Sequence, residues 1–190
     1  MKKIEKILKD LRGRLDDRRY HHTLRVIDYG QDLARHYHLS VEKFKYAAAL
    51  HDYCKQETDQ KILEGIDPDL VDHVVRNQPN LGHGYLAAVM AQSLYDIHDR
   101  EILEAIEDHT FGRARMSDLA KVLYLADHLE PNRSYVGVDA LRQLAFKDLD
   151  EAVIMTATHT LIYELSQGHL IHEGTLQLRN HLLQVTQARR

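Results

Sequence analysis

Apolar residues in this chain recur every three to four positions in segment after segment, and several of those stripes are interrupted by an ionisable side chain. The period comes first, because it restricts the fold to packed helices. Ile4, Ile7, Leu8, Leu11 and Leu15 form one stripe, predicting an amphipathic helix over about residues 2–16. A second helix is expected from Asp17 to about His38. A third, N-capped by Ser40, should end near Tyr53. Shorter helices follow over Asp59–Glu64 and Pro68–Val75, with Pro68 suited to a first helical position. Pro79 and Gly82 break the chain before a helix through Leu94. Asp99–Asp108 and a Ser117-capped helix to Leu129 come next, and Pro131 and Gly137 bound a loop. Asp148–Gln167 and Thr175–Arg190 close the chain around a loop from Gly168 to Gly174. No segment shows a strand pattern, so the expectation is an all-α, bundle-like single domain over residues 1–190 with about nine helices.

Composition agrees and excludes some functions. Nine glycines and three prolines in 190 residues are too few for a turn-rich β fold. The 44% hydrophobic content is enough for a core. A formal net charge of −4 argues against wrapping a nucleic-acid backbone, but leaves room for a small phosphorylated ligand held by a few local cations. The one cysteine, Cys54, cannot form an internal disulfide and reads as a small buried residue. It fits a reducing, cytoplasmic setting. The N-terminal stretch has no apolar run of signal-peptide or membrane-span character.

Fourteen histidines are the unusual count, and histidine is both a common metal ligand and a proton shuttle near neutral pH. Their positions matter more than their number. Phe44, Ala47 and Ala48 define a helical face whose next member is His51. Ile102, Ala105 and Ile106 lead in the same way to His109. Leu119, Val122, Leu123 and Ala126 share a face with Asp127, and His22 shares one with Val26, Tyr29 and Leu33. Taken alone, each histidine is most simply a satisfied core residue. A carboxylate on a leucine-rich face needs a partner or a metal, because burying it bare is costly. Four such interruptions in one chain favour a shared site. The adjacent pair His51-Asp52 strengthens this, since neighbours about 100° apart on a helix reach one ion only from beside the helix end. Two imidazoles and two carboxylates suit a divalent transition metal such as Fe(II), Mn(II), Co(II) or Zn(II).

Further polar residues lie near these ligands in sequence. His83 sits in Leu81-Gly82-His83-Gly84, where glycine permits close approach of backbone or ligand. His83 reads as a phosphate contact, a proton donor or a ligand to a second metal, against the plainer reading of a helix-entry histidine. Arg19 stands one helical turn before His22, Lys55 follows the His-Asp pair, and Arg133 lies just past the Asp127 helix. Arginine is suited to paired hydrogen bonds with phosphate oxygens. Arg113-Ala114-Arg115 reads as loop surface.

These residues resemble the YqeK-type HD-domain proteins, the symmetrical dinucleoside-tetraphosphatases of bacteria. The resemblance spans nearly the whole chain. It rests on Arg19-Tyr20-His21-His22-Thr23-Leu24-Arg25-Val26, on Ala48-Ala49-Leu50-His51-Asp52-Tyr53-Cys54-Lys55 and on His83-Gly84. It continues through Ala105-Ile106-Glu107-Asp108-His109-Thr110, Lys121 to Asp127 with Glu130-Pro131-Asn132-Arg133, and Ile171-His172 before Leu178-Arg179-Asn180. It implies an all-helical HD fold that hydrolyses diadenosine tetraphosphate to two ADP. It implies iron, as one ion or two and replaceable by manganese or cobalt, on His22, His51, Asp52 and Asp127. Substrate contacts are implied for Arg19, His83, His109, Thr110, Arg133 and the loop Leu170, Ile171, His172, Glu173, Gly174 and Thr175. The family loop tends to carry proline and aspartate after Ile-His, where this chain reads Glu173-Gly174.

In the expected mechanism a metal-activated water attacks a phosphorus inside the tetraphosphate bridge. Asp52 orients it, and Arg19, Arg133 and His83 or His109 neutralise the developing charge. Lys55 joins Asp52, His83 and His109 as a candidate catalytic residue. The expected partner is the small dinucleotide and its ADP product, without nucleic acid or membrane; a homodimer is the one protein partner kept in view. Two rivals stand beside this reading: another HD phosphohydrolase acting on a different nucleotide, and a nucleotide-sensing module without turnover. The intact ligand set speaks against the second.

Overall fold

A computed structural model describes residues 3–188. Eleven α-helices lie among them, two more than expected from sequence, and no strand does. They are α1 (Lys3–Arg14), α2 (Asp17–His36), α3 (Val41–Leu50), α4 (Asp59–Gly65), α5 (His73–Asn77), α6 (His83–Tyr95), α7 (Arg100–Asp108), α8 (Asp118–Leu129), α9 (Val138–Ala145), α10 (Leu149–Gln167) and α11 (Glu173–Ala188). The expected start at residue 2 and end at Arg190 lie outside the described residues.

The caps read from sequence are present. Ser40 Oγ accepts from Lys43 N at 3.3 Å and Ser117 Oγ from Ala120 N at 3.2 Å, satisfying amide groups left over at a helix start. Other boundaries differ. The segment expected as one helix over 68–75 is a 3₁₀ turn, Pro68–Leu70, followed by α5, which Asp72 caps separately. α2 stops at His36 because His38 takes a left-handed conformation, φ 55°. α3 stops at Leu50 rather than near Tyr53, and the chain continues in turns past the His-Asp pair. α11 begins at Glu173, which shortens the preceding loop. α9 was not expected at all. Its N-cap, Gly137, has φ 89° and offers no side-chain bond, so the usual start signal is missing.

α8 is the central helix. All its residues from Leu119 to Ala126 are buried, as is Leu129, which is what a helix apolar all round requires. Lys121, buried there, is held by Asp118 at 2.9 Å and Asp150 at 2.6 Å. α2, α3, α7 and α10 pack around α8. The alanine run Ala47–Ala49 lets α3 come close to its neighbours, and at Gly30 of α2 an added Cβ would lie 2.1 Å from Phe44 Cζ and 2.8 Å from Ala126 Cβ. This tight α2–α3–α8 junction fixes the relative placement of three elements that each carry an ionisable residue toward one point. No helix among the described residues is long and apolar enough to cross a membrane.

Candidate metal centre and adjoining cleft

The ionisable residues predicted on apolar stripes meet where several helices end. His22 comes from the second turn of α2, and His51 and Asp52 directly follow α3. His83 opens α6, His109 directly follows α7, and Asp127 lies near the end of α8. His22, His51, Asp52, His83 and His109 are all at most 5% exposed. Helix ends suit this role because the chain leaves its ladder there, so the side chain of the next residue can turn inward while still continuing the apolar face.

Three of the histidines are oriented alike. Nδ1 of His51 donates to the carbonyl of Ala48 at 2.7 Å, that of His83 to Asn80 at 2.6 Å, and that of His109 to Ile106 at 2.6 Å. A carbonyl only accepts, so these contacts place the proton of the neutral ring on Nδ1 and leave a lone pair on Nε2. His22 is set by a carboxylate instead, with Nδ1 3.2 Å from Glu130 Oε1. Buried Glu130 is itself held by Arg25 Nε at 2.6 Å. Sequence reading passed over Glu130 and Arg25 as site residues. The signal available was a glutamate just past the Asp127 helix and an arginine one turn after His22, but their pairing spans 105 positions.

The freed Nε2 atoms converge on Asp52. Its Oδ2 lies 3.5 Å from His51 Nε2 and 3.8 Å from His22 Nε2. Its Oδ1 lies 3.1 Å from His83 Nε2 and 4.0 Å from His109 Nε2. Two triads therefore have metal-ligand spacing, His22-His51-Asp52 and Asp52-His83-His109, sharing one carboxylate. Asp127 Oδ1 joins the first at 2.9 Å from His22 Nε2. Nε2 of both His22 and His51 is buried without a hydrogen-bond partner among the described residues. Buried orphan lone pairs facing two carboxylates are costly unless a cation fills the space between them. The donor set of imidazole nitrogens and carboxylate oxygens, oriented by outer carbonyls and a carboxylate, fits a divalent transition metal.

Both carboxylates and the rings of His83 and His109 favour the metal-binding form. Burial pushes the carboxyl of Asp52 up, but His51 and His83 outweigh it and hold Asp52 well below the usual carboxylate range. Asp127 is likewise held well below that range, its burial outweighed by His22 and Arg133. Burial, with the neighbouring His83 and His51, holds His109 well below the ordinary histidine value, and burial also lowers His83. Burial opposes the charge of His51 too, but there the adjacent Asp52 prevails and raises it.

The centre opens into a cleft of about 350 Å³. Arg19, Lys55, His83, His109 and Arg133 line it together with Asp52 and Asp127. Arg19 Nη1 donates to Asp52 Oδ2 and Arg133 Nη2 to Asp127 Oδ1, each at 2.8 Å, so both arginines steady a carboxylate while facing the cavity. Burial lowers the pKa of Lys55, whose Nζ is 3.4 Å from His83 Nδ1. The apolar part of the lining is Leu81, Phe111, Leu161, Leu170 and Ile171. His172 is fixed there on three sides. It stacks on Phe111 with centroids 3.7 Å apart, accepts from Gly174 N at 3.0 Å, and lies 3.0 Å from Asp72. Thr110 and Thr175 also line the cleft. Glu173 and Gly174 do not. Glu173 faces outward and accepts from Gln177, while Gly174 packs where an added Cβ would lie 2.7 Å from the Gly112 carbonyl. Gln78, Phe111, Thr160, Leu161 and Glu164 line the cleft without having been singled out from sequence. Arg113 is no plain loop surface, since its Nε grips both oxygens of buried Asp108.

The sequence pattern of the family described as HD domain matches residues 19–132, which include all six residues of this cluster. The chain belongs to the HD-domain family. Relatives of this HD domain include a protein named bis(5'-nucleosyl)-tetraphosphatase, symmetrical, from Bacillus subtilis, 32% identical over 94% of this chain and 97% of its own. A protein of the same name from Halalkalibacterium halodurans is 34% identical over 94% of this chain and 96% of its own. A solved structure described as a predicted HD superfamily hydrolase involved in NAD metabolism, from Clostridium acetobutylicum, superposes with a TM-score of 0.90. It is 34% identical and covers 98% of this chain and 97% of that one.

Proposed function

We propose that this HD-domain protein hydrolyses diadenosine tetraphosphate symmetrically, with one water consumed and two ADP released. The observation that carries this reading is similarity over 94% of the chain to relatives named for that activity, in a chain with two buried triads at metal-ligand spacing. His22, His51, Asp52 and Asp127 are the proposed metal ligands, and iron the proposed metal, with manganese or cobalt able to substitute. His83 and His109, with the second oxygen of Asp52, are a triad for a further ion. A divalent cation bound there supplies a Lewis acid that polarises phosphoryl oxygens and lowers the pKa of water toward neutrality. Arg19 and Arg133, at the mouth of the cluster, neutralise charge on the bridging phosphates. Lys55 adds a third cation to the cleft lining. The apolar lining residues Phe111, Leu170 and Ile171 receive one adenine, which fixes the register of the chain of phosphates against the cluster. Incubation of the dinucleotide with Fe(II)-, Mn(II)- or Co(II)-loaded protein is expected to give ADP as sole nucleotide product by chromatography. A mixture of ATP and AMP excludes symmetrical cleavage.

Gly84 supplies a finer test. A Cβ there would meet the Ile106 carbonyl at 2.9 Å and His109 Nδ1 at 3.2 Å, the two partners of the bond that orients His109. Gly84→Ala should lower kcat/KM by roughly 10- to 100-fold, the usual cost of disturbing such an outer partner, with the first metal site still filled. Unchanged kinetics in this variant would mean the His109 orientation is irrelevant to turnover.

A further inference from the structure

A second depression of about 120 Å³ adjoins the main cleft, and the two share Arg19 and Arg133 as a common wall. It is lined by Arg18, Arg25 and Asn132 as well, with His22 and Glu130. Four arginines and one glutamate thus border a small polar space. Glu130 is already committed to Arg25 at 2.6 Å and to His22. Arg19 and Arg133 are paired with carboxylates of the centre. Arg18 has no carboxylate partner among the described residues and is exposed. The four guanidinium groups thus exceed their three carboxylate partners, Asp52, Asp127 and Glu130, by one, and guanidinium groups bind phosphate oxygens through paired hydrogen bonds.

The apolar part of the main cleft's lining, which includes Phe111, Leu161, Leu170 and Ile171, is where the proposed function seats one nucleobase. A symmetrical substrate has two equal halves, so half of it must lie elsewhere while the central bond is attacked. Sites that enclose a whole ligand run to roughly 300–1,000 Å³, a range the main cleft reaches and the second depression does not. We propose that this arginine-lined depression is the subsite for the departing half of the substrate, and that it binds the diphosphate of that half and not its nucleoside. This rests on the hydrolase reading and adds an asymmetry to it: one base is held and the other is left in solvent. The products are unchanged. Water adds to the phosphorus of the held half, the central P–O bond breaks, and the second diphosphate departs past Arg18 and Arg25.

Two substrates and one variant test this on Mn(II)-loaded protein. Adenosine 5'-tetraphosphate carries the same phosphates without the second nucleoside and should be cleaved to ADP and pyrophosphate, with a KM within about threefold of the dinucleotide's. Arg18→Glu should raise the KM of both compounds about tenfold, the loss of one charge-assisted contact. Arg18→Lys should restore most of it. Metal content and the affinity of the tighter ADP site should not move in Arg18→Glu. An unchanged KM in Arg18→Glu overturns the subsite, as does a KM for the tetraphosphate more than tenfold above the dinucleotide's. Wild-type protein that turns over neither compound refutes the hydrolase reading itself, an outcome distinct from failure of the subsite alone.

Discussion

Replacing Asp52 by asparagine should abolish turnover and empty the metal centre. Asp52 is the residue both triads share, with one oxygen toward His22 and His51 and the other toward His83 and His109. Asparagine keeps the shape but removes the charge and replaces one oxygen with a donor nitrogen, which turns toward rings whose Nε2 atoms carry lone pairs. The expected loss in kcat/KM is at least about 10³-fold, or ~4 kcal/mol, in line with the several kcal/mol that a bound cation contributes to charge stabilisation. Binding gives a second readout that does not depend on turnover. Metal at 100 times its Kd stabilises a folded protein by ~2.7 kcal/mol, and in a chain of this length each kcal/mol raises Tm by roughly 2–4 °C. Wild-type protein should show that rise on adding Mn(II), and Asp52→Asn should not. A variant with full metal occupancy and turnover within tenfold of wild type would take Asp52 out of the centre.

Gly30→Ala should cost stability and metal affinity together, although Gly30 touches no proposed ligand. Alanine is the better helix former by about 1 kcal/mol, and on an open helix face the change would stabilise. Here the new Cβ would lie 2.1 Å from Phe44 Cζ, far inside the roughly 3.5–4.0 Å at which carbon atoms rest against each other. Phe44 is fully buried and has nowhere to turn. Overpacking of this kind costs about 1–3 kcal/mol, so the clash outweighs the propensity and Tm should fall by roughly 5 °C. The strain also parts α2 from α8, which carry His22 and Asp127 at 2.9 Å separation. A second substitution, Phe44→Leu, should recover part of both losses in a double-mutant comparison. If Gly30→Ala melts at the wild-type temperature, the close α2–α3 junction is not what holds these ligands together.

Most of the centre was legible because a helical stripe announces an intruder. His51, His109 and Asp127 stand out where an apolar period calls for another apolar residue, and all three prove to be buried or at the cleft. Glu173 and Gly174 are implied as substrate contacts by the resemblance alone; neither is among the residues lining the cleft, Glu173 being exposed and Gly174 packed against the Gly112 carbonyl. α9 went unseen because its start has no capping side chain, although Val138, Leu141, Leu144 and Ala145 do carry the helical period.

By itself the sequence determined the helical class, the caps at Ser40 and Ser117, and the identity of the residues that interrupt apolar faces. All of these follow from periodicity and from side chains acting within a few positions along the chain. Only the tertiary structure decided which interruptions share a point in space and which way each ring turns. It divides Asp52 between two triads, pairs Glu130 with Arg25 across 105 positions, and sets four arginines around one small depression. The reason is distance along the chain: a pattern read in windows of one or two helical turns carries no information about contacts made by helix ends a hundred residues apart.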